Sequence, residues 1–357
     1  MTTNAQYLYT VYGIFAVVSV VFSFLINRLF LKFVRTLGIR NQNDTVIRWG
    51  SQSKPAVGGF SFYIIFLLSI IVYSIFFDSN QVFLSKEFIG ILLATMLGFL
   101  LGLADDAYNT QPFLKLTTQI TCAVILLVTG TEISLSYVEP VNYIITIFWV
   151  VGIMNSLNML DNMDAITTTV SISIILSALG IMVLHHEYSS VYFMILLGVM
   201  CALFGFLYFN WHPSKMYMGD TGSQFLGVFL AAIGIKYLWN AEPPSGDFIS
   251  ARNLLLPIIV FIMPIIDTTT VVINRVLRGN SPFVGGKDHT THALVYLGLT
   301  DRQVAMVFWF MTLISLLLVV IIEKFLGEWR HIFTVLFSLY FLFMFFIFFY
   351  ATKSVKN

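Results

Sequence analysis

Asp105 and Asp106 follow directly on the apolar stretch GILLATMLGFLLGLA, residues 90–104. An ionised carboxylate costs about 2.5–3.5 kcal/mol at the middle of a membrane helix and less towards its end. Adjacent like charges also repel. The pair therefore either marks a solvated helix end or needs a nearby cation, a shared proton or a divalent metal. In NSLNMLDNMDA, Asn155, Asn158, Asp161 and Asp164 recur every third residue, and on a helix they would be successive neighbours on one surface. Their oxygens are hard ligands that suit Mg²⁺ or Mn²⁺ rather than zinc, although Asn and Asp also favour caps and turns.

A third segment, FNWHPSKMYMGDTGSQFLG, puts Asp220 in a Gly-Asp-Thr-Gly turn just before an apolar run. A helix N-terminus there could hold phosphate through backbone N–H groups while the carboxylate holds a metal. Tyr217 either offers its face to a nucleobase or is one more interfacial aromatic. Asp267 follows Pro257 and Pro264 inside another apolar run. Irregular backbone at membrane depth is tolerated only inside protein or beside a cavity, so Asp267 is expected to face the bundle interior. The segment RVLRGNSPFVGGKDHTTHALVYLGL carries Arg275, Arg278, Lys287, Asp288, His289 and His292 among glycines, a composition that suits a mobile loop closing over an anionic substrate. Without further His or Cys, its two histidines read as phosphate or sugar contacts rather than metal ligands. His185-His186 reads as a solvated turn.

These residues must be held by membrane helices. Of 357 residues, 58% are hydrophobic and 10% charged, where a soluble domain is about 25% charged. With roughly 20 apolar residues needed per span, eleven runs qualify, near 8–30, 56–77, 88–104, 114–130, 142–158, 165–184, 190–209, 222–240, 253–274, 303–322 and 332–351. The runs at 88–104 and 142–158 are short enough to suggest tilted or partly re-entrant segments. The expectation is an all-α integral membrane protein made of a single polytopic domain, 1–357, with no soluble domain between spans. No basic residue precedes Arg28, so the first run is expected to stay as a span rather than be cleaved as a signal peptide.

Nineteen basic residues against eighteen acidic give no global field for nucleic acid or another polyanion. Their distribution is uneven. Arg28, Lys32, Arg35, Arg40, Arg48, Lys54, Lys115, Lys215, Arg275, Arg278, Lys287, Arg302, Lys353 and Lys356 flank one side of the eleven runs, and only Lys86, Lys236, Arg252, Lys324 and Arg330 flank the other. The first side is therefore expected to be cytoplasmic, with the N-terminus outside and the C-terminus inside. All the glutamates fall on the outer side, whereas all the aspartates except Asp78 and Asp247 fall on the inner one. Cys122 and Cys201 lie in apolar runs, so neither a disulfide nor a thiolate metal site is expected. An ion-coupled transporter is the rival class, because intramembrane carboxylates and Pro-broken helices also mark transport pathways. Its charges would lie near the midplane, whereas these cluster at one face.

At these residues the chain resembles the polyprenyl-phosphate N-acetylhexosamine-1-phosphate transferases, the family to which bacterial WecA, TagO and MraY belong. KPAVGG, DDAYNTQPFLKLTTQ, NSLNMLDNMD and MYMGDTGS occur in family order, followed by PIIDTTTVVINRVLRGNSPFVGGKDHTTH. The resemblance covers nearly the whole chain. It implies ten or eleven helices and a cytoplasmic active site in a multi-pass bacterial inner-membrane enzyme. The implied partners are a UDP-N-acetylhexosamine, undecaprenyl phosphate and membrane lipid, with Mg²⁺ or Mn²⁺ as cofactor and no nucleic acid; homodimer formation is left open. By position, Asp105 and Asp106 look like the catalytic pair, joined by Asp161, Asp164 and His289. Lys115 looks like the pyrophosphate contact, and Asn158 with Asp220 like the metal ligands. Asp164 and Tyr217 resemble uracil contacts, while Lys54, Asn155, Lys287 and His292 complete the substrate-binding set.

Three departures stand out. Ala165 replaces a glycine common in relatives, so the local turn is expected to differ, because Ala takes positive φ less cheaply. Thr290 and Thr291 separate the two histidines where WecA-like relatives keep a further His. The consecutive histidines of the peptidoglycan-precursor branch are absent, which argues against a phospho-MurNAc-pentapeptide substrate.

Overall fold

The computed structural model describes residues 5–37, 54–77, 81–242, 250–281, 286 and 288–354. Among them every apolar run is a helix: α1 (Ala5–Leu37), α2 (Gly59–Phe76), α3 (Lys86–Tyr108), α4 (Pro112–Val128), α5 (Glu139–Leu160), α6 (Ile166–Leu184), α7 (Val191–Asn210) and α8 (Gly219–Gly234). The last ends in a π-helical turn, Ile235–Trp239. Then come α9 (Ser250–Val260), α10 (Ile262–Leu277), the short α11 (Thr290–Tyr296), α12 (Asp301–Phe325) and α13 (His331–Ser354).

Nine of these are long and apolar enough to cross a membrane, and the chain is an all-α, multi-pass membrane protein. The runs expected to be short are not: α3 has 23 residues and α5 has 22. The shorter apolar helix is α4, with 17. The ninth run is broken at Phe261, where α9 and α10 meet at 81°, three residues before Pro264, whose ring cannot supply an N–H to the preceding turn.

Local chemistry sets the boundaries. Ser85 accepts from Phe88 N at 3.2 Å and so caps α3, Pro112 opens α4, and Thr300 with Gln303 forms a reciprocal capping box on α12. α8 lies at the centre of the bundle with nearly every residue buried, whereas α13 buries only Phe337, Met344, Phe348 and Thr352. Gly102 brings α3 against the start of α8, for a Cβ there would lie 2.1 Å from the Asp220 carbonyl oxygen.

The sequence places Asn155, Asn158, Asp161 and Asp164 at one helical spacing, but α5 ends at Leu160 with Asp161 as its C-cap. Asp164 therefore lies in the turn beyond the helix. Asp105 and Asp106 instead belong to the last turns of α3, and Asp220 to the first turn of α8.

Candidate active site

The adjacent aspartates point to different tasks. Asp106 reaches across to the start of α8, where its Oδ1 accepts from Asp220 N at 3.1 Å and its Oδ2 from Thr221 N at 2.8 Å and Thr221 Oγ1 at 2.7 Å. It is an N-cap supplied by a neighbouring helix, and the N-terminal partial charge of α8 favours the carboxylate. Gly219, at φ +76°, makes this approach feasible: a Cβ there would lie 2.6 Å from Asp106 Oδ2.

Asp105 is buried. Its Oδ1 accepts from both N and Oγ1 of Thr110 at 2.8 Å, and its Oδ2 pairs with Lys115 at the start of α4. The Asp105 and Asp220 carboxyl groups lie within hydrogen-bonding reach of each other, with Asp106 and Lys115 as the other nearby charges. Asn158 of α5 donates its amide N–H to Asp220 Oδ1 at 2.7 Å and to Ser223 Oγ at 2.9 Å. Thus α3, α4, α5 and α8 deliver Asp105, Lys115, Asn158 and Asp220 to one place.

A second group adjoins it through the backbone. Ala56 and Tyr217 form an isolated parallel bridge, Tyr217 N donates to Pro55 O at 2.9 Å, and Gly58 N and Gly59 N donate to Tyr217 O and Met218 O. The KPAVGG and MYMGD segments are therefore one structural unit. Lys54 lies 5.2 Å from the Tyr217 ring centroid and donates to Ser214 Oγ at 2.9 Å. Asp164 holds the intervening turn: its Oδ2 accepts from Ser214 N at 2.9 Å and meets His212 Nδ1 at 3.1 Å, and its Oδ1 accepts from Ser214 Oγ at 2.7 Å. Lys54 stands 3.7 Å from the same carboxylate.

The turn after Asp164 does not depart from a left-handed conformation as the alanine suggested. Ala165 adopts φ +67°, and its N–H donates to Asn210 Oδ1 at 3.1 Å. Tertiary bonds hold a conformation that costs an L residue about 1–2 kcal/mol.

The third group is the α10–α11 connection. Its described residues His289, Thr290, Thr291 and His292 are all buried, while residues 282–285 of the expected mobile loop lie outside the described residues. Arg275 clamps Asp288 through Nε at 2.7 Å and a terminal guanidinium nitrogen at 2.6 Å. Burial raises the Asp288 carboxyl, but the hydrogen bonds and charge of Arg275 outweigh it and hold the group below the usual carboxylate range. Thr291 Oγ1 donates to Asn162 Oδ1 at 2.7 Å and ties α11 to the turn after α5. Asp267 faces the interior as expected, fully buried beneath α11. Lys287 lies outside the described residues.

Asn155 stands apart from these groups. It exchanges amide hydrogen bonds with Gln119, at 2.8 and 3.3 Å, and Gln119 continues to Gln224 at 3.2 Å, a buried ladder joining α4, α5 and α8. His185 is not a simple solvated turn either: its Nε2 meets Glu323 Oε2 at 3.3 Å. Sequence reasoning missed Thr110, Thr221, His212, Ser214 and Asn162. Thr221 was discoverable, since a hydroxyl residue in the first turn after Asp220 is a capping signal; the partners of the others become adjacent only in the fold.

Two carboxyl groups in mutual contact beside a third, with one lysine, form a donor set that fits a hard divalent cation. Among the described residues no three carboxylate, imidazole or thiolate groups are placed to hold one metal ion together, Asp106 being turned to the backbone of α8.

An all-α membrane protein with an acidic, phosphate-compatible site at the ends of its central helices is the class these observations define. Residues 88–238 match the family described as glycosyl transferase family 4. The chain is 30% identical to a phospho-N-acetylmuramoyl-pentapeptide-transferase of Staphylococcus saprophyticus, over 73% of this chain and 82% of the relative. It is 27% identical to a probable undecaprenyl-phosphate N-acetylglucosaminyl 1-phosphate transferase of Bacillus subtilis, over 71% and 69%. A decaprenyl-phosphate N-acetylglucosaminephosphotransferase of Mycobacterium tuberculosis is 26% identical over 71% and 68%. The chain belongs to glycosyl transferase family 4. These relatives favour a transferase over the ion-coupled transporter.

Proposed function

We propose that this protein transfers an N-acetylhexosamine 1-phosphate, with UDP-GlcNAc as donor, to undecaprenyl phosphate, releasing UMP and leaving a lipid-linked diphosphate sugar. The observation that carries the reading is the meeting of α3, α4, α5 and α8 at one place, with Asp105 paired to Lys115 and Asn158 donating to Asp220 in the first turn of α8. The names of the relatives support the substrate classes: each is a transferase of a phosphosugar, and two are named for a polyprenyl phosphate and N-acetylglucosamine.

Acceptor phosphate and donor pyrophosphate repel each other, so catalysis here is largely positioning and charge neutralisation. Mg²⁺, for which Mn²⁺ can substitute, would be held by Asn158 and Asp220 and would supply Lewis-acid neutralisation of the phosphates. Lys115 offers its ammonium to the pyrophosphate. Asp105, oriented by Thr110 and Lys115, takes the proton of the acceptor phosphate. The freed oxygen then bonds to the β-phosphorus, the bond from that phosphorus to the bridging oxygen breaks, and UMP leaves. Asp106 contributes by fixing the first turn of α8. Lys54 and Tyr217 present a cation and an aromatic face beside Asp164, a combination suited to a uridine. Asp161, at the end of α5, supports the turn that carries Asp164. His289, His292 and Lys287 serve the sugar phosphate.

The excess of Lys and Arg on the side that bears the site supports a cytoplasmic active face in a bacterial inner membrane, with the N-terminus outside. Purified protein incubated with undecaprenyl phosphate and a panel of UDP-N-acetylhexosamines tests the reading. Release of UMP with UDP-GlcNAc is expected; no UMP from any member of the panel would overturn it.

A further inference from the structure

We infer that Asp267 is a positioning residue that fixes the His289 ring with its proton on Nδ1; the consequence for turnover rests on the function proposed above. Asp267 has no solvent exposure and lies in α10 just past the bend and Pro264. Its Oδ2 is 2.9 Å from His289 Nδ1, and its Oδ1 accepts from Thr290 N at 2.9 Å and Thr290 Oγ1 at 2.5 Å. One carboxylate thus caps α11 and sets the ring that precedes it. A buried aspartate is costly unless each oxygen is satisfied, and a hydrophobic residue would fill this position without that cost.

An ionised carboxylate only accepts, so the bond to His289 requires the proton on Nδ1 and leaves Nε2 as the ring nitrogen available to substrate. The ring cannot swing freely, because the chain on either side of it is tied down. Asp288 is clamped by Arg275, and Thr291 is bonded to Asn162 in the turn that leads to Asp164. The His289 ring also packs edge-to-face on His292, with centroids 5.4 Å apart. The broken ninth helix therefore brings a carboxylate under α11 and references the histidine to the α5–α6 turn.

Asp267→Asn separates positioning from packing. Thr290 N can only donate, so the asparagine must turn its oxygen to Thr290 and its NH₂ to His289. Nδ1 must then accept, and the ring proton moves to Nε2. With wild-type turnover established, Asp267→Asn is expected to lower kcat about 100-fold, with little change in KM for UDP-GlcNAc and a thermal midpoint close to wild type. In a His289→Ala background the same substitution should change kcat less than about twofold, because the two residues act as one unit. A further loss of about 100-fold in that background, or wild-type kcat in Asp267→Asn, would overturn the inference.

A second readout needs neither turnover nor a substitution at Asp267. In ¹⁵N-histidine spectra, with His289→Ala identifying the resonance, wild-type His289 should carry a proton on Nδ1. A bare Nδ1 in wild type would overturn the proposal. If no UMP is released by wild type, the transferase reading fails, and the ring proton still decides the role of Asp267.

Discussion

The two ends of this bundle handle charge in opposite ways. At the end defined by the start of α9, the close of α6 and the close of α12, Arg252 and Glu323 form a buried ion pair. His185 stands beside Glu323, and Arg252 also donates to Ala241 O at 3.1 Å. Nearby, Lys236 at the end of α8 pairs with Glu87 at the start of α3 at 2.8 Å. Glu323 and Glu87 thus each have a cation of their own. At the other end of α3 and α8, Asp105, Asp106 and Asp220 share Lys115. The Arg252–Glu323 and Lys236–Glu87 pairs are each matched one to one within the protein, whereas three carboxylates at the second end have Lys115 as the nearby cation. Buried charge by itself therefore does not mark a site; charge left uncompensated by the protein does.

The largest effect should come from breaking a matched pair. Glu323→Ala strands the Arg252 guanidinium and is expected to cost about 3–5 kcal/mol of stability, read as a lowered thermal midpoint in detergent, with kcat of the folded fraction unchanged. Replacing both partners by apolar residues, Arg252→Met with Glu323→Leu, should recover most of that loss. A large fall in kcat per folded molecule would erase the contrast between the ends.

The next effect lies at the second end and falls on turnover. Asp105→Asn keeps the shape and removes the charge, and kcat should drop by about 100-fold or more while the thermal midpoint holds. Asp106→Asn should reverse the pattern, losing about 1–2 kcal/mol of stability through the weakened cap on α8 with a smaller fall in kcat. Equal kinetic losses in the two variants would contradict the division of labour within the pair.

How far this was legible from sequence differs by feature. The apolar runs were legible as helices, nine of them long and apolar enough to cross a membrane, and so were Asp105, Asp106 and Asp220 as members of one site. The distinct tasks of Asp105 and Asp106 were not, since they depend on which neighbour each carboxylate meets across the bundle. Asp164 shows the same limit: its spacing from Asp161 suggested a helix face, yet it lies past the C-cap and bonds to Ser214, fifty residues away in sequence. Within the segment read as mobile, Asp288 to Thr291 are held by Asp267, Arg275 and Asn162 through contacts with no local signature, and residues 282–285 lie outside the described residues.

Smaller effects probe those pins. Because the folded-state Asp288 carboxyl is depressed from 3.8, its pairing with Arg275 stabilises the α10–α11 connection above the unfolded value. That contribution is lost as pH falls from there through the folded value. Protection of the 288–292 amides, referred to their intrinsic exchange rate at each pH, should therefore fall on acidification below about pH 4, and Asp288→Asn should remove that step. The smallest change is Ala165→Gly, which relieves the positive φ but loosens the unfolded chain, so the net gain should be less than about 1 kcal/mol. A marked loss of stability would show that Ala165 bears no strain.

On the proposed function, the carboxylates around Asp220 act with a divalent cation and the substrate phosphates. The direct measurement is UMP release from UDP-GlcNAc and undecaprenyl phosphate before and after excess EDTA, with Mg²⁺, Mn²⁺ or Ca²⁺ added back. Turnover should vanish in EDTA, return with Mg²⁺ or Mn²⁺, and return poorly with the larger Ca²⁺. Full turnover in excess EDTA would contradict it.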